Sequence, residues 1–557
     1  MGRLFSDRID RIIRIRGRGI VTILSILLIL SKKTLRPLRL CVRKTAAPTT
    51  LWLCVKNRAA VNHGGVKPRL WYNMGMETNE YREQRLQSLK TLKEMGYEPY
   101  GYRYDHEDLK KVRAEFEEGK TVRVAGRLLM IRRMGKMNFT TMNDGTDKFQ
   151  LIFKRDELSE TAFAAFKQLN LGDIIGAEGT LFTTQKGEKS LIVKEWTMLA
   201  KALEQPPEKF HGLADQEECY RRRYVDLMTN DESRNRFFTR SRLLMETRKY
   251  LWSKGFNEVE TPILQAQAGG AAAKPFETHF NALDQHMVLR IAPELYLKRL
   301  LVGGMNKVFE LGKDFRNEGI DRSHNPEFTV LEVYEAYGDR TSMEAIIEGL
   351  IPHLCDTVIG TREIGYGEKK EIINFNPPYR RVAYNDLVKD LMGADWFDLS
   401  FEEQLAKAKA KGKETETNLE LDDVHDTLML THEVYDKLIE KNLRQPTFVT
   451  RLPHEFVPLA KACKDDPKLV DVFEFVVGGR ELCPGYTEQN DPLEQRKALE
   501  HQAGEDTEKI DEDFISALEC GMPPTGGLGI GIDRLVMLLT GCDGIRDVVL
   551  FPQMKKA

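Results

Sequence analysis

The chain lacks CxxC pairs, internal repeats and any apolar run long enough to cross a bilayer. Its eight cysteines are scattered over 557 residues, which argues against both a zinc ribbon and a disulfide framework and fits a reducing compartment. The longest apolar run, residues 20–30, has eleven residues, whereas a bilayer core needs about 20. We therefore expect no stable membrane association.

The chain as a whole also has no large excess of charge of one sign, since it contains 83 Lys and Arg and 85 Asp and Glu. The first 70 residues are an exception, with 16 basic residues and only Asp7 and Asp10 as acids. We expect residues 1–75 to be a basic extension that is disordered or not translated, because acidic, helix-forming sequence begins at Met74 or Met76. With such an extension disordered or absent, we expect the protein to be cytoplasmic. The alternative is import into an organelle, if the extension is a genuine transit segment.

Hydrophobic periodicity divides the remaining chain into a β-rich part and a longer mixed part. Period-two alternation over residues 120–200, with a turn at Asn143-Asp144-Gly145, predicts a small antiparallel barrel or sandwich. Asp231–Trp252 predicts a long helix whose apolar pairs recur every seven residues and need a partner surface, either the core or a second subunit. The expected parts are an N-terminal helix plus barrel (76–204), a linker (205–230) and a mixed domain (231–557) with a helical insertion at about 380–445.

The densest polar cluster lies in two β-rich segments, residues 309–318 and 327–334, joined by a polar loop. We expect antiparallel strands with a long loop. In the second strand Phe328, Val330, Glu332 and Tyr334 share one face, while the other face is apolar. An aromatic ring, a carboxylate and a phenol on one face are typical of a strand that forms the floor of a polar site, although a solvated face is the alternative.

A pair of glutamates marks a second cluster. Gly478-Gly479 predicts a hairpin turn, across which Glu474 and Glu481 face each other. Adjacent carboxylates repel unless a cation lies between them, and hard oxygen ligands suit Mg²⁺. Two exposed strand acids are the alternative interpretation.

The third cluster is a glycine-rich strand, residues 526–531, that enters a helix at Arg534. Glycine allows a ligand to approach the backbone closely. The segment is not a dinucleotide-binding fingerprint, because only 23 residues follow Arg534 and leave no room for a βαβ unit. It is not a Walker A loop either, since no Lys-Ser/Thr follows.

Together the three clusters resemble the signature motifs of class II aminoacyl-tRNA synthetases, with residues 255–262 similar to the first motif. Residues 269–275, 290–298 and 315–319 resemble the bacterial type of lysyl-tRNA synthetase (class IIb), in the same order along the chain. The resemblance implies an α+β fold, with an antiparallel catalytic sheet flanked by helices and preceded by an all-β OB-fold barrel that binds the anticodon. It also implies a homodimer formed through the helix before Pro262.

The resemblance implies a lysine–tRNA ligase, which activates L-lysine with ATP and transfers it to the 3′ end of tRNA(Lys). It assigns Arg316, Glu318 and Arg534 to catalysis. The implied ATP site is Arg316, Glu318, His324, Asn325, Phe328, Glu474, Glu481 and Arg534, with Mg²⁺ held by Glu474 and Glu481. The implied lysine site is Gly270, Glu294, Arg316, Glu332, Tyr334, Tyr486 and Glu488. The implied anticodon contacts are Phe139 and Gln150, with Arg132 and Glu188 as weaker candidates.

Two observations bear on the substrate. A buried ammonium needs carboxylates, which Glu332 and Glu488 supply, whereas an aspartate-specific relative would need cations there. In contrast, Pro484 stands where the family has an Asn whose amide contacts the substrate carboxylate, and proline has no such donor. Either Arg316 holds that carboxylate alone, or the pocket has drifted towards a relative of lysine.

Two other functions compete with tRNA ligation. A paralogue that transfers lysine to a protein typically lacks the OB-fold barrel, which this sequence predicts. An RNA-binding protein with an inactive synthetase domain would be expected to have lost Arg316, Glu318 or Arg534, and all three are present.

Overall fold

The computed structural model describes residues 80–204, 213, 215–367, 369–503 and 510–555, together with residues 40–41 and 54–55. The chain divides into two compact units, Met1–Asn79 and Glu80–Ala557. In the first, strands β1 (Leu40–Cys41) and β2 (Cys54–Val55) pair antiparallel. The expectation for the rest of residues 1–75, and the Gln205-Pro206-Pro207 start of the predicted linker, lie outside the described residues.

A closed five-stranded barrel forms the first part of the second unit, with strand order β3-β4-β5-β7-β6. Its strands are β3 (Thr121–Met134), β4 (Met137–Asn143), β5 (Lys148–Lys154), β6 (Ile174–Thr183) and β7 (Lys189–Ala200), and its helices are α1 (Glu80–Glu94), α2 (Leu109–Ala114) and α3 (Glu160–Phe166). The Asp144 carboxylate closes the predicted β4–β5 turn by accepting the Thr146 and Asp147 amides. Alternating apolar residues fill the barrel interior, so the barrel prediction is confirmed.

The second part is built on an eight-stranded sheet of order β16-β17-β18-β19-β20-β13-β12-β8, antiparallel except for its two edge pairs. Its strands are β8 (Asn257–Glu258), β12 (Lys307–Phe315), β13 (Glu327–Ala336), β16 (Arg380–Ala383), β17 (Thr447–Thr450), β18 (Val472–Val477), β19 (Arg480–Thr487) and β20 (Thr525–Gly531). Helices α6 (Asp231–Ser253), α8 (Arg340–Leu354) and α14 (Ile532–Thr540) pack on one face through the largest hydrophobic cluster. The predicted α+β class is confirmed.

The remaining elements surround this sheet. They are β9 (Leu264–Gln265), β10 (Glu277–Phe280), β11 (Gln285–Leu289), β14 (Glu363–Tyr366), β15 (Glu371–Asn374), α4 (Gln216–Arg221), α5 (Arg223–Thr229), α7 (Glu294–Val302), α9 (Tyr384–Met392), α10 (Phe401–Glu414), α11 (Thr427–Val434), α12 (Pro492–Ala503) and α13 (Glu512–Glu519). None of the helices in the described part of the chain combines the length and hydrophobicity that crossing a bilayer requires.

Two predicted boundaries look different in the structure. Much of the segment 205–230, which we expected to be a linker, forms α4 and α5. The predicted insertion at 380–445 is mainly helical, and its apolar residues form one hydrophobic cluster with Val449 of β17 and with Val472 and Val476 of β18. It starts with β16, an edge strand of the large sheet. Short helices held by tertiary contacts leave little periodic signal in the sequence, which explains the first difference.

The contact that holds α5 in place is a buried arginine. Arg223 Nη1 lies 2.8 Å from Asp226 Oδ2, and both side chains are almost fully buried. The same guanidinium donates to the carbonyl of Leu550 (3.0 Å) and of Arg546 (2.7 Å) near the end of the chain. One side chain thus joins the segment after the barrel to the C-terminal segment.

Replacing Arg223 with Met should lower the free energy of unfolding by about 3 kcal/mol, because Asp226 would be left as a buried, unpaired charge. Urea denaturation of the purified chain measures the loss. Arg221→Met is the matched control. Within the described part of the chain Arg221 pairs only with the exposed Glu217, so its replacement should cost about 0.5 kcal/mol. Equal losses in the two variants would contradict the role assigned to Arg223.

Candidate active site

A cavity of about 850 Å³ opens at the centre of the large sheet. Residues from both halves of the predicted site line it: Gly270, Glu294, Arg316, Glu332, Tyr334, Glu474, Glu481, Pro484 and Tyr486. The structure thus brings a guanidinium, two pairs of carboxylates and two phenols around one space. Six predicted residues of the ATP and lysine sites, Glu318, His324, Asn325, Phe328, Glu488 and Arg534, are not among those that line this cavity.

Strand β13 forms the floor, as the alternation of its residues predicted. Glu332 and Tyr334 line the cavity, whereas Leu331 and Val333 on the other face lie in the main hydrophobic core. The β12–β13 pair is antiparallel, with residues 316–326 as the long loop between the strands. The position of this strand at the cavity therefore agrees with the interpretation that it forms the floor of a polar site.

The glycines of β20 leave room for the carboxylates of neighbouring chain segments. In the β13–β20 register Glu332 lies opposite Gly529, and Tyr334 opposite Gly527. A Cβ at position 529 would lie 2.8 Å from Glu332 Oε1, and one at position 527 would collide with Glu488 Oε1. Any larger residue at these positions would displace a carboxylate, so the glycines are a steric requirement of the site.

At one end of the cavity the carboxylates are held by phenols. The Tyr334 hydroxyl donates to Glu332 Oε2 (3.1 Å), and the Tyr486 hydroxyl donates to Glu294 Oε1 (2.9 Å). Burial raises the pKa of Glu332 well above its usual range, and the nearby Glu294 and Asp314 raise it further. Once ionised, these carboxylates give this end of the cavity an excess of negative charge, which a cationic ligand would compensate.

Glu488 does not lie where the resemblance implied, among the residues that surround the substrate. It does not line the cavity but lies behind Gly527, with its side chain fully buried. There it pairs with Lys298, whose Nζ lies 2.5 Å from Glu488 Oε2 and 2.8 Å from Glu294 Oε1. Sequence reasoning missed Lys298, because the Glu294–Lys298 spacing of four on α7 equally fits an ordinary surface ion pair.

The other carboxylate pair lies on the β18–β19 hairpin. Gly478 and Gly479 form its turn with positive φ angles of 67° and 77°, as predicted. The expectation that Glu474 and Glu481 face each other was wrong in register: the two-residue turn pairs Glu481 with Val476, and a bulge after Phe475 then pairs Glu474 with Pro484. They are still close enough to interact, since Glu481 adds to the effect of burial in raising the pKa of Glu474.

Two side chains of the predicted insertion support this pair, and neither was foreseen. The Tyr435 hydroxyl donates to Glu474 Oε2 (3.1 Å), and Glu440 Oε1 accepts the backbone amide of Glu481 (2.6 Å). Within the described residues no group of three or more His, Cys, Asp or Glu is arranged to hold a metal ion. Two carboxylates alone fit a cation only if the other ligands come from bound phosphates or water.

Arg316 and Arg534 lie on either side of Glu481. Both guanidinium groups lower the Glu481 pKa, which burial raises. The Arg316 Cζ atom lies 5.1 Å from the centre of the Phe328 ring. Arg534 donates to the Glu481 carbonyl (3.0 Å) and lies 3.1 Å from His324 Nε2.

The loop between β12 and β13 holds the remaining predicted residues. Because Arg534 can only donate, His324 Nε2 is the acceptor, and its Nδ1–H donates to Asp321 Oδ2 at 2.7 Å. Asn325 is buried and donates to the Glu327 carbonyl (2.6 Å). Glu318 is exposed on the loop.

On the barrel, the strand register brings three predicted residues to one face. Arg132 pairs with Phe139 across β3 and β4, and Gln150 pairs with Thr141, two residues after Phe139 on β4. Arg132, Phe139 and Gln150 therefore share the outer surface, opposite the buried Leu151. Glu188 is exposed at the β6–β7 turn, two residues before Ser190, whose hydroxyl donates to Gln150 Oε1 (2.8 Å).

Comparison with known proteins identifies the class. Residues 215–555 match the family model of class II tRNA synthetases for D, K and N, which covers more than half of the chain, and residues 122–199 match the OB-fold nucleic acid binding domain. The chain belongs to the class II tRNA synthetases.

Similar curated proteins narrow the family further. The lysine–tRNA ligase of Listeria welshimeri is 45% identical over 495 residues, covering 86% of this chain and 98% of that protein. Those of Staphylococcus saprophyticus (44% over 501 residues, 87% and 100%) and Lactococcus lactis (45% over 498 residues, 86% and 99%) are equally similar. Within class II the chain is a member of the lysine–tRNA ligase family, and the resemblance inferred from its motifs is confirmed.

Proposed function

We propose that the chain is a lysine–tRNA ligase that activates L-lysine with ATP, giving lysyl-adenylate and pyrophosphate, and then transfers lysine to the 3′ end of tRNA(Lys). The observation that carries this proposal is the single cavity that Arg316 lines together with carboxylates suited to an ammonium and carboxylates suited to a metal ion. The full-length similarity to lysine–tRNA ligases supports it.

The amino acid occupies the end of the cavity that has buried negative charge. Glu332, supported by the Tyr334 hydroxyl, is the acceptor for the ε-ammonium, with Glu488 behind it. Glu294 and the Gly270 backbone receive the α-ammonium, and Tyr486 orients Glu294. Arg316 binds the carboxylate of the amino acid, because a guanidinium stays charged and donates two parallel hydrogen bonds to an oxyanion.

ATP lies along the other end. Phe328 stacks on adenine, Arg316 contacts the α-phosphate and Arg534 the γ-phosphate, with Glu318, His324 and Asn325 close to the nucleotide. The Arg534 guanidinium already contacts His324 and the Glu481 carbonyl, which fixes its direction before the nucleotide binds. Such preorganised positive charge lowers the barrier for attack on phosphorus.

Glu474 and Glu481 are the proposed Mg²⁺ ligands. Two carboxylates whose pKa values are raised by burial, and for Glu474 also by Glu481, fit a dication, and the ATP phosphates would complete the ligand set. When bound, Mg²⁺ neutralises charge on the phosphates. Tyr435 and Glu440 hold the pair from behind.

The chemistry of the first step needs no general base. The lysine carboxylate is ionised at neutral pH and attacks the α-phosphorus directly, so the residues of the site act by holding two anions in line and by compensating the charge that develops. In the second step a terminal hydroxyl of tRNA attacks the adenylate. The barrel binds the anticodon, with Phe139 stacking on a base, Gln150 contacting a base edge, and Arg132 and Glu188 beside them.

The enzyme acts as a homodimer in the cytoplasm. Phe238, Met245 and Trp252 recur every seven residues along α6, and each side chain is about half exposed, between 46% and 56%. This apolar stripe is the proposed subunit contact. The six cysteines between residues 219 and 542 are free thiols, which fits a reducing compartment, while import into an organelle stays the alternative if residues 1–75 are a transit segment.

The purified chain should catalyse ATP–pyrophosphate exchange that depends on lysine and should charge tRNA(Lys). Replacing Arg316 with Met should lower exchange at least about 100-fold, because the charge on the transferring phosphorus loses its main partner. Exchange without charging of tRNA would instead favour a protein-modifying paralogue. Wild-type protein without any exchange would favour an inactive synthetase domain.

Replacing Pro484 with Asn should lower the KM for lysine about fivefold, because an added amide donor in the cavity contributes about 1 kcal/mol to binding of the carboxylate. The KM for ATP, measured in the same exchange assay, serves as the control and should not change. An unchanged KM for lysine would show that Arg316 alone is sufficient for the carboxylate.

Replacing Trp252 with Glu should convert the dimer to monomers, since a charge in an apolar contact loses its hydration without a partner. Light scattering after size-exclusion chromatography measures the mass. Tyr102→Glu is the control, because Tyr102 is 92% exposed and lies away from α6. A wild-type chain that is monomeric at micromolar concentration would refute the proposed subunit contact.

A further inference from the structure

Lys298 is a fixed cation in the wall of the proposed lysine pocket. Its side chain has no exposed surface, and its Nζ bridges Glu294 Oε1 (2.8 Å) and Glu488 Oε2 (2.5 Å). Nζ also lies 5.8 Å from the centre of the Tyr486 ring. Glu294 and Tyr486 line the cavity from which the substrate would contact them. The protein therefore places one of its own ammonium groups directly behind the groups assigned to substrate recognition.

The carboxylates around this end outnumber the cation that pairs with them. Glu294 and Glu488 share the charge of Lys298, and among the described residues Glu332 accepts a hydrogen bond only from the Tyr334 hydroxyl. When all three carboxylates are ionised, the single ammonium leaves two negative charges uncompensated. Lysine has two ammonium groups, on its α and ε atoms, so its binding would neutralise this end of the pocket. An amino acid with an uncharged side chain would leave one buried carboxylate without a partner, which is costly.

We propose that Lys298 is a positioning residue that determines specificity, because it holds Glu294 and Glu488 in place and sets the charge of the pocket so that only a dicationic amino acid balances it. This proposal rests on the proposed function as a lysine–tRNA ligase. Lys298 acts through Glu294 and Glu488 and does not itself contact the substrate.

Removal of Lys298 has a predictable effect on proton affinity. Burial raises the pKa of Glu488 to about 8, Lys298 lowers it, and Glu294 raises it. The other groups that face this cluster are Glu332 and Tyr334 of β13 and Tyr486 of β19. Without Lys298 the pKa of Glu488 would rise further. Because a protonated carboxyl does not attract an ammonium, lysine binding would then require a higher pH.

The test compares Lys298→Met with the wild-type chain in lysine-dependent exchange between pH 6 and pH 9. At pH 7 the KM for lysine should rise about tenfold or more, which corresponds to one unit of change in the pKa of a partner carboxylate. The midpoint of kcat/KM for lysine should move to higher pH, while the KM for ATP stays within about twofold. Lys298→Arg keeps the charge and should restore the midpoint.

Lys201→Met is the matched control for a purely structural effect. Lys201 is equally buried and pairs with the equally buried Asp173 at 2.9 Å in the barrel. Its replacement should lower the melting temperature but leave the KM for lysine and its pH profile unchanged. A Lys298→Met variant that loses stability and keeps the wild-type KM and pH profile would overturn the proposal.

The double variant Lys298→Met/Glu488→Gln decides the case if Lys298→Met does not fold, because it leaves no unpaired charge at position 488. If Lys298 acts as proposed, the double variant should have a higher KM for lysine than Glu488→Gln alone, because Glu294 also loses its cationic partner. A double variant with the KM and pH profile of Glu488→Gln would overturn the proposed role of Lys298 at Glu294. Absence of lysine-dependent exchange in the wild-type chain would overturn the proposed function itself, a result distinct from either of these.

Discussion

The pairing of β13 with β20 is the constraint on which the site depends. One strand presents Glu332 and Tyr334 to the cavity, and the other has glycine at both opposite positions. Without a Cβ at Gly529 the Glu332 carboxylate has the space it occupies, and Gly527 gives the same freedom to Glu488. The position of the carboxylates therefore depends on the glycine-rich strand, because the glycines of β20 provide the space in which the carboxylates lie.

A second consequence is the separation of charge within one cavity. The Glu294–Glu332 end has an excess of negative charge, and the Glu474–Glu481 end has a second pair, with Arg316 among the lining residues. Burial raises the proton affinity of acids at both ends, so each end favours a cation. In the proposed reaction those cations are the ammonium groups of lysine and the metal ion that accompanies ATP. Arg316 then meets the two anions that must react, the carboxylate and the α-phosphate.

Much of this arrangement could be predicted from the sequence, because strand alternation is a local property. The two faces of β13, the hairpin at Gly478-Gly479 and the entry of the glycine-rich strand into a helix at Arg534 all follow from local pattern. The register of β18 with β19 follows only in part: the two-residue turn pairs Glu481 with Val476, but a bulge after Phe475, which no local pattern indicates, pairs Glu474 with Pro484. Lys298 escaped prediction for a related reason: the Glu294–Lys298 spacing is the same in an exposed helix and in a buried one, and only the tertiary structure shows which applies.

The helical insertion shows how a segment outside the sheet can still contribute to the site. Its apolar residues cluster with Val449, Val472 and Val476 of the sheet, and in addition Tyr435 donates to Glu474 and Glu440 accepts the Glu481 amide. Tyr435 begins a π-helical turn, Tyr435–Ile439, that follows α11 directly, and such turns often occur at functional sites. The turn changes the direction of successive side chains, so that Tyr435 and Glu440 both reach the hairpin. The sequence of the insertion, rich in Lys and Glu, indicates a solvated surface, but its last turns are in contact with the proposed metal ligands.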